Sequence, residues 1–106
     1  MQERVTDTMQ RKDVINLLSR LKNQIETRYH VRRIGVFGSV SRDQISEKSD
    51  IDILIDFETG FATMRNYMSL HRYLQSLFPR KIDLVTYGSL SPYIRPEVDN
   101  EVLWLG

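Results

Sequence analysis

An α/β fold (α+β-like), with a small mixed sheet flanked by helices, is predicted by three features of the chain. Apolar residues recur at helical spacing in two long segments. Short runs rich in branched and aromatic residues lie between and after them, one with strict strand-like alternation. Glycine or proline closes most of these segments. Helical and strand patterns therefore alternate along the chain, which argues for a sheet covered by helices.

The first element expected is a helix from Met9 to Tyr29. Val14, Leu17, Leu18, Leu21 and Ile25 fall on one stripe, and Arg11, Lys12, Arg20, Lys22 and Glu26 leave a solvated face. Asp7 or Thr8 is the expected N-cap. Val31 to Phe37 reads as a strand ended by Gly38-Ser39, and Ser39 to Gln44 as one or two helical turns. Asp50 to Phe57 alternates. Ile51, Ile53 and Ile55 share one face, and Asp50, Asp52, Leu54 and Asp56 share the other, because strand side chains have a period of two.

Met64 to Phe78 reads as a second helix, with Met64, Tyr67, Met68, His71, Leu74 and Phe78 as its core stripe and Pro79 as its stop. Lys81 to Tyr87 is the third expected strand, with Ile82 and Leu84 facing opposite to Asp83 and Val85. Ser91-Pro92 reads as an N-cap and first helical position, and Pro96 keeps that helix short or kinks it. Val102 to Leu105 is a last short strand.

With 106 residues there is room for one domain, spanning residues 1 to 106. Lys plus Arg is 15 against 14 for Asp plus Glu, a net charge of +1, so the chain lacks the basic footprint of a nucleic-acid or membrane-surface binder. The sequence holds no cysteine, which excludes disulfides, thiolate metal sites and thiol nucleophiles. Its longest stretch free of charged side chains, Leu84 to Ile94, is too short to span a bilayer, and the N-terminus lacks the apolar core of a signal peptide. A cytoplasmic protein is expected.

Three groups carry chemistry. Gly38-Ser39 joins a strand to a helix start, where unpaired N–H groups and the helix dipole suit phosphate. Glycine permits close approach, Ser39 adds a hydroxyl, and Arg42, one turn on, can bring charge to the same side. Asp50 and Asp52 share one strand face, roughly 6–7 Å apart along the chain. Two neighbouring anions repel, and Mg²⁺, which bridges carboxylates to substrate phosphates, relieves this. Asp83 sits in the next strand. If that strand lies beside Asp50–Phe57, Asp83 completes a three-carboxylate set of the kind that holds two ions for phosphoryl chemistry.

Gly38-Ser39, ten intervening residues, then Asp50-Ile51-Asp52 resembles the signature of the polymerase-β-like nucleotidyltransferases. With Arg42 and the run Ser49 to Asp56, the chain is similar over nearly its whole length to the minimal nucleotidyltransferases, the antitoxins of prokaryotic HEPN–MNT toxin–antitoxin pairs. The resemblance implies a polymerase-β-type core. It implies that Gly38 and Ser39 hold the nucleotide triphosphate, with Arg42 supporting that loop or the phosphates. It implies that Asp50 and Asp52 ligate Mg²⁺, with two ions expected, and that Asp83 is a third metal ligand that can also serve as general base. The reaction implied is transfer of AMP from ATP to a hydroxyl, a tyrosine of a HEPN ribonuclease toxin, in a type VII-like pair. Asp43, where relatives often carry a small residue, departs from the pattern.

Each residue also has a plainer reading. Gly38-Ser39 alone is a strand-to-helix turn, Asp50 and Asp52 alone are solvated acids, Asp83 alone pairs with Lys81, and Arg42 alone is a surface residue. Asp56 is expected to be a solvated strand end. His71 is expected to be a packed, hydrogen-bonded core histidine, and His30 to sit at a helix C-terminus. Trp104 either packs on the sheet or joins Tyr93 in an exposed apolar patch. With no second domain to bind RNA or a small molecule, a partner protein is the expected acceptor and a hetero-oligomer the expected state. A second functional reading is an antitoxin that neutralises its toxin by stoichiometric complex formation, without catalysis.

Overall fold

The computed structural model describes residues 10–38 and 50–106. The short helix expected over Ser39 to Gln44, the caps Asp7 and Thr8, and the expected start at Met9 lie outside the described residues. Helix α1 (Arg11–Tyr29) leads into strand β1 (Val31–Phe37). Strand β2 (Ile51–Phe57), helix α2 (Met64–Leu77) and strand β3 (Ile82–Thr86) follow, and a single 3₁₀ turn (Tyr87–Ser89), helix α3 (Arg95–Glu101) and strand β4 (Leu103–Trp104) close the chain. The sheet order is β3-β2-β1-β4. β1 runs antiparallel to both β2 and β4, while β2 and β3 are parallel, with α2 as the crossover between them. The mixed sheet is as expected.

Helix α1 is capped by Gln10, whose backbone N–H donates to the Asp13 carboxylate at 2.8 Å. It ends at His30, which takes a left-handed conformation (φ 57°) and donates its N–H to the Glu26 carbonyl. The His30 ring stacks on Phe61 with centroids 3.9 Å apart. Val14, Leu18 and Ile25 of α1 and Leu70 and Leu74 of α2 are fully buried against Ile34, Val36, Ile51, Ile53 and Ile55 of the sheet. Both long helices therefore cover one sheet face. Burying each such side chain stabilises the fold by about 1.5–3 kcal/mol, so this layer fixes the sheet on which the acids sit.

Two expectations about α2 are corrected. Met64 and Met68 are not core, being 72% and 52% exposed, and Leu70, absent from the expected stripe, is fully buried. At about 3.6 residues per turn, the two methionines lie roughly 80° and 120° round the helix from Leu74. They belong to the Tyr67, His71 and Gln75 side of the helix. The third helix also begins later than Ser91-Pro92 suggested. Ser91 instead accepts the Tyr93 N–H at 3.2 Å in a local turn, and Pro96 occupies the first turn of α3, where a missing N–H costs nothing.

The opposite face of the sheet carries the acids. Leu54 shares that face, yet it is fully buried, so the face is not simply solvated. Its register partner Gly35 also pairs with Trp104 of β4. A β-carbon on Gly35 would come within 2.8 Å of Val102 and 3.0 Å of the Trp104 ring, so the glycine admits the C-terminal strand. Trp104 packs on the sheet, which decides between the two readings of this residue. Its ring receives the Arg33 guanidinium at 3.9 Å and meets Tyr87 edge-on at 5.8 Å.

Candidate active site

β1 delivers Gly38. Phe37 is the register partner of Asp52, so the chain leaves β1 directly beside that acid. Gly38 has φ of +65°, a left-handed conformation that favours glycine. The Asp52 carboxylate lies where a Gly38 β-carbon would be, with its Cγ 3.1 Å from that position. Any larger residue would push the acid away.

β2 delivers the acid pair. Ile51 and Ile53 are fully buried in the core, so Asp52 faces the other way. Asp50, just before the strand, is exposed and falls on the same side by alternation. The Ile51 N–H donates to the Lys81 carbonyl at 2.9 Å, tying the start of β2 to the start of β3.

β3 delivers Asp83, whose Cα register partner is Asp52. The adjacency left conditional in the sequence is present, and parallel pairing sets both carboxylates on one face. Asp83 is exposed, and among the described residues it forms no ion pair with Lys81. The plainer reading of Asp83 is thus not met. Ser39 and Arg42 lie outside the described residues, as does Asp43.

The acids of the site fit a hard divalent cation by donor chemistry, since Asp50, Asp52 and Asp83 all offer carboxylate oxygens. Among the described residues, no three His, Asp or Glu side chains converge as a ready-made cation site. Mg²⁺ is ordinarily held by one or two carboxylates together with substrate phosphates rather than by an all-protein cage, so the arrangement suits an ion that arrives with a nucleotide.

Asp56 is corrected. It is not a solvated strand end but accepts a hydrogen bond from Arg33 Nε at 3.0 Å, with Arg32 Nη1 3.9 Å away and its side chain only 14% exposed. The register of β1 against β2 shifts between Val31 and Arg33, which lets both arginines lean towards the same acid. Asp56 is neutralised by protein, which sets it apart from Asp83.

His71 is hydrogen-bonded as expected, with Nε2 3.1 Å from the Ile82 carbonyl. That carbonyl only accepts, so Nε2 carries the proton. Sequence reasoning missed the neighbours that act with it. Tyr67 Oη donates to the Leu84 carbonyl at 2.6 Å, and Gln75 Oε1 accepts the Ile82 N–H at 2.9 Å. The available signal was the spacing of Tyr67, His71 and Gln75, four residues apart on one helix row. No helix among the described residues is long and apolar enough to cross a membrane.

Comparison with known proteins agrees with this geometry. The nucleotidyltransferase domain family model matches residues 18–105. The protein adenylyltransferase MntA of Thermococcus cleftensis is 37% identical over 93 residues, covering 88% of this chain and 93% of that protein. A solved minimal nucleotidyltransferase superposes with a TM-score of 0.77 at 29% identity, covering 91% of this chain and 96% of that one. A toxin–antitoxin crystal structure with AMP-PNP shares the fold, with a TM-score of 0.69 at 22% identity over 83% of this chain and 72% of its own. With acids on adjacent strands beside a glycine turn, and with these matches along nearly its whole length, the chain belongs to the nucleotidyltransferase domain family, in its minimal, MntA-like branch.

Proposed function

We propose that this nucleotidyltransferase is a Mg²⁺-dependent protein adenylyltransferase that silences a HEPN-type ribonuclease toxin by moving AMP from ATP to a tyrosine hydroxyl. The observation that carries the reading is the register pairing of Asp52 with Asp83 beside Gly38. The similarity to MntA supports protein as the acceptor, and the AMP-PNP-bound toxin–antitoxin relative supports an ATP-like donor and a toxin partner. ATP as donor is consistent with a cytoplasmic setting.

In this reading Gly38 and Ser39 seat the triphosphate, Arg42 supports that loop, and Asp50 and Asp52 hold the metal with Asp83 as the third carboxylate. Bound Mg²⁺, one ion or two, would neutralise charge that builds on the phosphates during transfer. The acceptor oxygen attacks the α-phosphorus, the bond to the bridging oxygen breaks, and pyrophosphate leaves. Asp83 takes the hydroxyl proton. It is suited to this because it is exposed and, among the described residues, not neutralised by an arginine as Asp56 is.

Intact mass spectrometry of the neighbouring-gene product, incubated with ATP, Mg²⁺ and this protein, tests the reading. AMP additions on the partner that vanish with Asp50→Asn/Asp52→Asn support it. A stable complex that inhibits the partner with no mass added would establish stoichiometric neutralisation instead.

A further inference from the structure

We propose that Tyr67, His71 and Gln75 are positioning residues that lock strand β3 in the register setting Asp83 beside Asp52. The inference rests on the reading of Asp83 as a working carboxylate.

Among the described residues, β3 is an edge strand of five residues whose one neighbour in the sheet is β2. Pairing of Ile51 with Ile82, and donation from the Ile51 N–H to the Lys81 carbonyl, turn the backbone groups of Asp83 and Val85 towards β2. Those of Ile82 and Leu84 therefore face outward. Edge groups of this kind are normally left to water. Here three of these four groups are taken by one row of α2. The Ile82 N–H donates to Gln75 Oε1 at 2.9 Å, the Ile82 carbonyl accepts from His71 Nε2 at 3.1 Å, and the Leu84 carbonyl accepts from Tyr67 Oη at 2.6 Å. Gln75 Nε2 also donates to the Arg80 carbonyl at 2.7 Å. Both residues flanking Asp83 are thus held from outside, while Asp83 itself stays exposed on the acid face.

Register matters here because of the strand period. A slip of one residue would turn Asp83 into the core, and a slip of two would keep its face but carry it roughly 6–7 Å from Asp52. Two strands joined only by their own ladder resist this weakly when one is short. The helical row supplies fixed points four residues apart, and α2 is itself anchored by Leu70 and Leu74.

The test compares Tyr67→Phe, Tyr67→Phe/His71→Leu, Tyr67→Phe/His71→Gln and Asp83→Asn. Two readouts are taken: transfer kinetics with ATP, and hydrogen exchange of the Asp83 and Leu18 amides in the metal-free protein. The Tyr67→Phe/His71→Leu variant is expected to lose about tenfold in kcat with KM for ATP within about twofold. Its Asp83 amide should exchange about tenfold faster while that of Leu18, in the core of α1, is unchanged. His71→Gln, which restores a donor, should recover much of the loss. Unchanged kcat in the double variant, with Asp83→Asn inactive, would overturn the positioning role alone. Equal loss of Leu18 protection in the double variant and in Tyr67→Phe would also overturn it, by marking a general structural role. Full activity in Asp83→Asn would overturn both the inference and the reading of Asp83.

Discussion

The Asp52 carboxylate occupies the space that a β-carbon on Gly38 would fill. One glycine thereby satisfies two demands, a left-handed turn at the end of β1 and room for an acid on the neighbouring strand. Gly38→Ala meets both penalties. The substitution is expected to destabilise the fold by about 1–3 kcal/mol and to reduce transfer at least tenfold. Thermal denaturation and the transfer assay on the folded fraction measure the two effects separately. Wild-type activity in Gly38→Ala would show that this contact does not set the acid.

Asp52→Asn and Asp83→Asn should each abolish transfer while leaving stability within about 0.5 kcal/mol for the exposed Asp83. Circular dichroism with the mass assay separates the two outcomes. An active Asp83→Asn protein would remove Asp83 from the reaction.

Helix α2 predicts a contrast between two of its residues. Leu74→Ala empties a fully buried position and should cost about 2–5 kcal/mol. Met68→Gln, at a half-exposed position, should cost less than about 0.5 kcal/mol. Urea midpoints for both variants, at equal slope, decide the point. Equal costs would restore Met68 to the core.

Arg33 joins three groups: it bonds Asp56 at 3.0 Å, covers Trp104 at 3.9 Å and lies 5.1 Å from the Tyr87 ring centre. Arg33→Met keeps an apolar stem but removes the charge over both rings. A loss of about 1–2 kcal/mol is expected, with a shift in the emission of Trp104, the one tryptophan of the chain. An unchanged spectrum would mean that β4 is held without this contact.

Among the described residues, Tyr87 carries the one pH effect with a clear direction. Its hydroxyl donates to Asp99 at 2.9 Å, and this bond, then loss of water around the ring and the Asp99 charge, raises its pKa above the ordinary tyrosine value, against the opposing pull of Arg95 and Arg33. The folded state thus holds the proton more tightly than the unfolded chain. The resulting stability is fully present below about pH 10, the unfolded value, and is lost as pH rises through the higher folded value. Tyr87→Phe should flatten the alkaline part of the stability curve, and tyrosinate absorbance follows the titration directly. A Tyr87 that ionises at or below its ordinary value would contradict the bond to Asp99.

Much of this protein is determined by its sequence. The alternation of Ile51, Ile53 and Ile55 against Asp50, Asp52 and Asp56 assigns the isoleucines to one face of β2 and the acids to the other, because a strand has only two faces. Gly38-Ser39 and the acid pair at their spacing carried the family, and β1 begins and ends where branched and aromatic residues do. Tertiary structure decided the rest. Which strands are neighbours is a long-range matter, so only the parallel pairing of β2 with β3 brings Asp83 to Asp52. The fates of Met68 and Leu70 depend on how α2 rolls onto the sheet, which its own periodicity leaves undetermined when apolar residues occupy more than one row. Asp56 differs from Asp83 for the same reason: an antiparallel neighbour supplies Arg33 to one acid, whereas among the described residues β3 lies at an edge with no arginine-bearing strand beyond it. Sequence spacing fixes which side chains share a face, whereas packing between elements fixes what each of them meets.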